Sequence, residues 1–349
     1  MTSKSRYEEA FVWIWLPTET RPVVAGRLAA VGNQLVFNYG QSYLARKNAI
    51  SIYDTELPLR AGILPLLDGL SMPSCIRDAA PDAWGRRVIV NRKMGTRGSD
   101  IDVDRLDELT YLLESGYDRI GALDFQLSAT TYVAREAAGS LDELLRAAES
   151  VDKGLPLTTE LAAALQHGSS IGGARAKATI ASGDKKYIAK FSSQNDIYNV
   201  VKAEYVAMRL AAQVGINAAP VSLKRVAGRD VLLVERFDRE RVEGGWTRRG
   251  MVSALTLLGL DEMMARYASY EDLATVVRHR FSQPKGTLKE MFARMLFNVL
   301  CGNTDDHARN HAAFLMAAHL PSRPPTTYVP RRGRVVKRAK PCSLLATSA

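Results

Sequence analysis

Hydrophobic positions change their spacing about halfway along the chain. Phe11-Val12-Trp13-Ile14-Trp15-Leu16 is an aromatic and β-branched run stopped at Pro17. Gln34-Leu35-Val36-Phe37-Asn38-Tyr39 alternates with period two, and Tyr39-Gly40 supplies turn chemistry. These runs predict a small curved sheet. Arg77 to Arg87 reads as a turn entering a helix, with Asp82 placed to cap the exposed amides of its first turn. Leu106, Leu109, Leu112 and Leu113 recur at helical spacing, and Leu141 to Ala148 repeats the pattern, so two packing helices are expected. Between them, residues 118–125 read as a loop passing into a strand.

From Ser169 the texture becomes a glycine-rich loop, a strand over Lys186 to Phe191 and a helix over Val200 to Val214. Strands follow around Val221 and Val231-Leu232-Leu233-Val234. After Asp238 the pattern predicts mostly helix. The clearest case is Gly286 to Cys301, with Met291, Phe292, Met295, Leu296, Val299 and Leu300 on one broad apolar face. Strands first and helices afterwards imply an α+β domain with a small sheet lobe and a larger helical lobe.

With 349 residues, 46% apolar and 24% charged, the chain is an ordinary globular protein long enough for two domains. It holds no run of about 18 apolar residues, and Met1 to Arg6 lacks the apolar stretch of a secretory signal, so a cytoplasmic protein without membrane spans is expected. Cys75, Cys301 and Cys342 are far apart and suggest free thiols. The net charge of +10 invites a nucleic-acid reading. Seven of those positive charges, from Arg323 to Lys340, lie in a stretch after Met316 without any acidic residue. That stretch has Tyr328 as its one aromatic residue, so stacking platforms are missing and DNA contact is expected only through a partner.

Phosphoryl transfer needs amides around phosphates, a cation on them, a carboxylate near the acceptor hydroxyl, and metal ligands. Ser169-Ser170-Ile171-Gly172-Gly173-Ala174-Arg175-Ala176-Lys177 is a small-residue loop able to approach phosphates, or a flexible surface turn. It is no Walker loop, because Ala174 stands where lysine is required. On the following strand Lys190 shares a face with Ile188 and Lys186, opposite Tyr187, Ala189 and Phe191. It is either a phosphate-reaching lysine or a solvated edge residue. Glu204, on the next predicted helix, favours the first, since a strand lysine paired with a helix glutamate is a kinase arrangement; a solvent-facing Glu204 is the alternative.

Directly after the apolar helix comes Gly302-Asn303-Thr304-Asp305-Asp306-His307-Ala308-Arg309-Asn310. Asp305 and Asn310 match the Asp-x-x-x-x-Asn spacing of a kinase catalytic loop, in which aspartate orients the hydroxyl and asparagine binds magnesium; Asp306 has no such partner. His307 and His311 have the spacing of a zinc pair but no third ligand nearby, so structural histidines are expected.

Together the 169–177 loop, Val234-Glu235-Arg236-Phe237-Asp238-Arg239 and residues 303–310 resemble HipA-family toxins, and Arg77 to Gly85 and Asp118 to Phe125 look like the family's N-terminal half. The resemblance runs from Val12 to Phe314. It implies a protein-kinase-like bilobal fold: an N-terminal β-rich subdomain over 1–135, a kinase-like core over 136–315 with its small lobe ending near 238, and a disordered basic Pro/Arg-rich tail over 316–349. It further implies ATP and Mg2+ as cofactors, an HipB-type antitoxin as partner, and a translation-related substrate such as an aminoacyl-tRNA synthetase. Carried over by position, Asp305 and Lys190 would be catalytic, Asn310 would hold the metal, and Ser169, Ser170, Ile171, Gly172, Gly173, Ala174, Lys177 and Lys190 would surround the phosphates. Glu235, Arg236 and Phe237 would line the adenine pocket. Ser170 would be an autophosphorylated off-switch, because phosphate there adds about −1.5 to −2 charges to a loop that must receive ATP.

The chain departs from that pattern after Asp306, where no aspartate or glutamate follows. The second metal-binding aspartate and the C-terminal helices that the resemblance calls for are missing. Read in a shifted frame, permitted codons for Leu315 to Ala317 contain an Asp-Gly pair, and those for Arg323 to Tyr328 can encode the expected segment. A frameshift near Phe314 is therefore the expectation, with exposed apolar surface, poor solubility and weak or absent transfer as consequences. The competing reading is a non-catalytic HipA-like remnant that still docks an antitoxin.

Overall fold

The structure, a computed structural model, describes residues 7–94, 106–135, 140–152, 155, 158, 175–192, 196, 198–315 and 329–330. Strands β1 (Glu9–Ile14), β2 (Val23–Val31), β3 (Gln34–Tyr39), β4 (Ile63–Leu64) and β5 (Leu123–Gln126) form an antiparallel sheet of order β4-β3-β2-β1-β5. β3 has the bounds its period-two pattern predicts, and Trp15 extends the pairing beyond β1 by donating to Ala122 O at 2.9 Å. Helix α1 (Ala83–Met94) follows the Pro81-Asp82 turn. Helix α2 (Glu108–Glu114) starts where the Asp107 carboxylate accepts from Thr110 N at 2.9 Å.

A second antiparallel sheet of order β6-β7-β9-β8 is built from β6 (Lys177–Ser182), β7 (Lys185–Phe191), β8 (Val221–Val226) and β9 (Arg229–Glu235). One of its faces is covered by α1 and by α3 (Leu141–Asp152): Trp84 and Val88, with Leu144, Leu145 and Ala148, pack on Ala178, Ala189, Phe191, Val231 and Leu233. Helix α4 (Val200–Gln213) runs between β7 and β8, its Asn199 cap accepting from Lys202 N at 3.0 Å.

Beyond β9 the chain is not yet helical, contrary to its apolar pattern. β10 (Arg239–Val242) and β11 (Gly245–Arg248) form a hairpin, and β12 (Met251–Ser253) pairs with β13 (Ala312–Phe314), which pairs with β14 (Val329–Pro330). The hairpin turns at Gly244, whose φ of +86° suits glycine alone. These strands are short, and β10 and β11 carry arginines, so little of the apolar alternation by which strands are recognised is present. Helices α5 (Tyr270–Arg280) and α6 (Pro284–Leu300) follow.

One apolar core crosses from the first sheet into this last part. Val12, Leu28, Phe37, Ile76 and Phe125 belong to the same buried cluster as Val252, Leu255, Val277, Ala308 and Ala313. The N-terminal residues thus pack on both later layers, with α1 on the second sheet and the first sheet on the 252–313 part. The broad face expected of α6 is not covered by the described residues. Thr287, Arg294, Phe297 and Asn298 are its buried positions, while Phe292, Leu296, Val299 and Leu300 are exposed, Val299 by 72%.

A buried charge cluster closes the joint. Arg236 donates to both oxygens of Asp238, at 3.0 and 2.9 Å, and to the carbonyls of Asp118 and Arg119 at 2.9 and 2.7 Å. Arg239 donates to the Asp118 carboxylate at 3.0 Å and to Gly121 O at 2.9 Å, and Lys186 reaches Asp118 at 2.9 Å. Gly121, at φ +84°, turns its amide onto Asp238 at 2.9 Å. Burial alone would raise both aspartates, yet the surrounding guanidinium groups hold them well below the usual carboxylate range.

Removing one partner leaves its neighbours charged and buried, so Asp238→Asn is expected to lower the urea unfolding free energy by about 3–5 kcal/mol. Because the folded-state pKa of Asp238 is depressed, its stabilisation is present above the unfolded value of about 3.9 and is lost as pH falls through the folded one. The wild-type protein should therefore lose stability steeply in acid below about pH 4, and Asp238→Asn should show a flatter acid limb in denaturant titrations across that range.

Candidate functional site

The face of the second sheet turned from α1 and α3 carries lysines among apolar residues. Tyr187, Ala189 and Phe191 turn toward the α1/α3 layer, which leaves Lys190 on the opposite face. The β6–β7 register sets Lys177 directly across from Lys190, and directly paired residues project to one face. Glu204 on α4, buried to 5% exposure, accepts the Lys190 ammonium in an ion pair. The helix glutamate is thus turned inward to the strand lysine rather than out to solvent. Two lysines side by side with one carboxylate between strand and helix form a surface suited to an anion.

Ala207, Met208 and Ala211 of α4 pack in one cluster with Phe297 of α6, and Phe237 and Cys301 lean on it. The helix that carries Glu204 therefore rests on the helix that delivers the loop. Helix α6 ends where Gly302, at φ +62°, donates to Val299 O at 3.1 Å and Asn303 N donates to Asn298 O at 2.8 Å. The loop then doubles back into β13, so its two ends are held by α6 and by the β12 pairing.

Within the loop the adjacent aspartates have different roles. The Asp306 carboxylate accepts from Tyr270 Oη, from Asn298 Nδ2 at 2.9 Å and from His311 Nε2 at 2.9 Å. Burial pushes it up, but these bonds outweigh burial and hold it below the usual range. The Asp305 carboxylate has no hydrogen-bond partner among the described residues, although its backbone is fixed: its N–H donates to Asn303 Oδ1 at 3.2 Å and its carbonyl accepts from Asn310 Nδ2 at 2.7 Å. Asp305 and Asn310 are therefore locked to each other while one carboxylate stays available.

His311, tied to Asp306 and set edge-on to Tyr270 at 5.4 Å, is a structural residue, and no group of three His, Cys, Asp or Glu among the described residues could hold a metal. Ser169, Ser170, Ile171, Gly172, Gly173 and Ala174 lie outside the described residues. Of residues 235–237, expected to line the adenine pocket, Arg236 is engaged in the buried charge cluster and Glu235, at the end of β9, binds Lys185 at 2.7 Å. Phe237 packs edge-on to Phe314, at 5.7 Å, just past the loop. A hollow of about 480 Å3, open to solvent, is lined by residues such as Leu257, Val277 and His311 and by none of Lys190, Asp305 and Asn310.

Sequence reasoning missed Tyr270 and Asn298 as holders of Asp306, because neither stands in a recognisable motif. For magnesium, the available donors are the Asn310 amide oxygen and the Asp305 carboxylate. That pair suits a cation held mainly through nucleotide phosphates and is too small a set to retain one alone.

Against known proteins, a profile of the HipA N-terminal domain matches residues 18–126 and one of the HipA-like C-terminal domain matches residues 169–324. A 113-residue stretch is 32% identical to a putative kinase of Sinorhizobium fredii, covering 31% of this chain and 27% of that protein. Over 154 residues the chain is 26% identical to the serine/threonine-protein kinase toxin HipA of Shewanella oneidensis, covering 40% of this chain and 35% of the toxin. The matched stretches thus span about a third of these relatives' length. A solved complex of Shewanella oneidensis HipA, HipB and operator DNA superposes with a TM-score of 0.59 at 19% identity, over 91% of this chain and 74% of that one, a likeness of fold.

Lys190→Met strands a buried carboxylate, so it should destabilise the protein by about 3–5 kcal/mol. In a double-mutant cycle by thermal unfolding, adding Glu204→Gln should recover part of that loss; strictly additive changes would refute the pairing.

Proposed function

Since the chain belongs to the HipA family, its two domain profiles matched in order, we propose that it carries the ATP site of a serine/threonine protein kinase toxin. The observation that supports this best is the Lys190–Glu204 pair, a strand lysine oriented by a helix glutamate with Lys177 paired beside it. In this reading Lys190 and Lys177 hold nucleotide phosphates, and Glu204 keeps the Lys190 ammonium in place. Asp305 accepts a hydrogen bond from the acceptor hydroxyl and takes its proton as the phosphoryl group leaves. The Asn310 amide oxygen would hold magnesium, which would supply neutralisation of charge on the phosphates. The partner is an HipB-type antitoxin, with DNA reached only through it, and the substrate a translation-related protein such as an aminoacyl-tRNA synthetase.

A second reading is a HipA-like module that docks its antitoxin without transferring phosphate, and the observation in its favour is the small donor set at the loop: among the described residues no group of three His, Cys, Asp or Glu could hold a metal. Among the described residues no helix is long and apolar enough to cross a membrane, in keeping with either reading.

Titration with a fluorescent ATP analogue, with and without Mg2+, paired with radiolabel transfer from ATP, distinguishes the readings. Lys190→Met should weaken nucleotide binding by about tenfold or more, the equivalent of one charge-assisted contact. Asp305→Asn should bind nucleotide within about twofold of wild type when Mg2+ is absent and abolish any transfer. Nucleotide binding without transfer would favour the docking module, and a folded wild-type protein that binds no nucleotide would sink the kinase reading.

A further inference from the structure

Arg309, between the buried Ala308 and the buried Asn310, reaches the N-terminal part. Its guanidinium bonds Asp82 Oδ1 at 2.7 Å through Nη2 and pairs with Glu262 through Nη1. Asp82 is the more enclosed partner, with 17% of its side chain exposed against 45% for Glu262. Neighbouring residues of the same segment reach the same region. Asp78 accepts from Ser253 N at 2.6 Å and Thr256 Oγ1 at 2.8 Å, and Arg77 donates to Leu260 O at 2.8 Å. Ser253 is the β12 residue paired with Ala312, immediately after the loop.

The turn they surround has little of its own to hold it. Ala308–Asn310 is one 3-10 turn, with backbone bonds from Asn310 N to His307 O at 2.8 Å and from His311 N to Ala308 O at 3.3 Å. So short an element takes its conformation from its side-chain anchors. Asn310 in turn fixes the Asp305 carbonyl. Any displacement of Arg309 therefore passes through one residue to the Asp305–Asn310 pair.

We infer that Asp82 is a positioning residue: by clamping Arg309 it holds the 308–310 turn, and with it Asp305 and Asn310, in the arrangement for transfer. The N-terminal part is thereby a working component of the site. The clamp is a statement about this fold; its link to transfer rests on the kinase reading.

Hydrogen exchange by mass spectrometry on the full chain tests the clamp without nucleotide. In Asp82→Asn, peptides spanning 302–311 should exchange at least about fivefold faster while those of β6 to β9 match wild type, and Asp82→Glu should restore most of the protection. Unchanged exchange over 302–311, or an equal rise along the whole chain, overturns the clamp. If Asp82→Asn does not fold, Arg309→Lys, which keeps the charge and loses the two-armed geometry, must give the same local rise, and its absence overturns the clamp equally. For positioning, Asp82→Asn should lose the Mg2+-dependent part of ATP-analogue affinity and keep the Mg2+-independent part within about twofold. Retention of the full Mg2+ increment refutes that role. A wild-type protein that binds no nucleotide refutes the kinase reading, and the exchange result still decides the clamp.

Discussion

Four charges enclosed at one point, Asp118 with Arg236, Asp238 and Arg239, set the geometry on which the remainder depends. Each guanidinium also consumes backbone carbonyls of the 118–121 turn, so the cluster fixes a path of chain as well as a set of side chains. It sits where β9 gives way to the hairpin leading to the helices. The direction in which the chain leaves the second sheet is therefore dictated by the N-terminal part. A core of the same size built from apolar groups could be as stable, but it would tolerate sliding. Paired guanidinium and carboxylate groups accept few geometries, and partial satisfaction is strongly penalised.

That constraint explains which features were legible in the sequence. β3, α4, α6 and the Lys190 strand follow period and composition, and their observed bounds lie close to the expected ones. Lys190 and Glu204 could be matched because a strand and the next helix are local, and the pattern names both residue types. β10 to β12 were not legible: Arg239-Glu240-Arg241-Val242 shows no apolar face, since its first residue is buried as a charge. The motif over 234–239 was recognised, but nothing in it revealed that the Arg236 and Asp238 side chains serve the joint. Sequence records that residues are unusual without recording which of two neighbours they face.

The same limit applies to Asp305 and Asp306. Spacing alone favoured Asp305, through Asn310 five residues on. The structure adds a physical reason in the three donors that occupy Asp306. One of them, Tyr270, comes from the start of α5, 36 residues away, a separation that no local motif spans. α6 shows a different limit, in which a clear apolar periodicity gave a helix with one broad face, and the exposed Phe292, Leu296, Val299 and Leu300 have no cover among the described residues. Periodicity reports that a helix has a face; a partner must be found elsewhere.

The core shared by Val12 and Ala313 also bears on how the chain is made. Emerging from the ribosome at about 5–20 residues per second, the first sheet would wait on the order of tens of seconds for the residues that cover it. During that interval Leu28, Phe37 and Phe125 lack part of their final surroundings. Long-range closure of this kind slows folding and leaves apolar surface of the nascent sheet exposed to aggregation in the meantime.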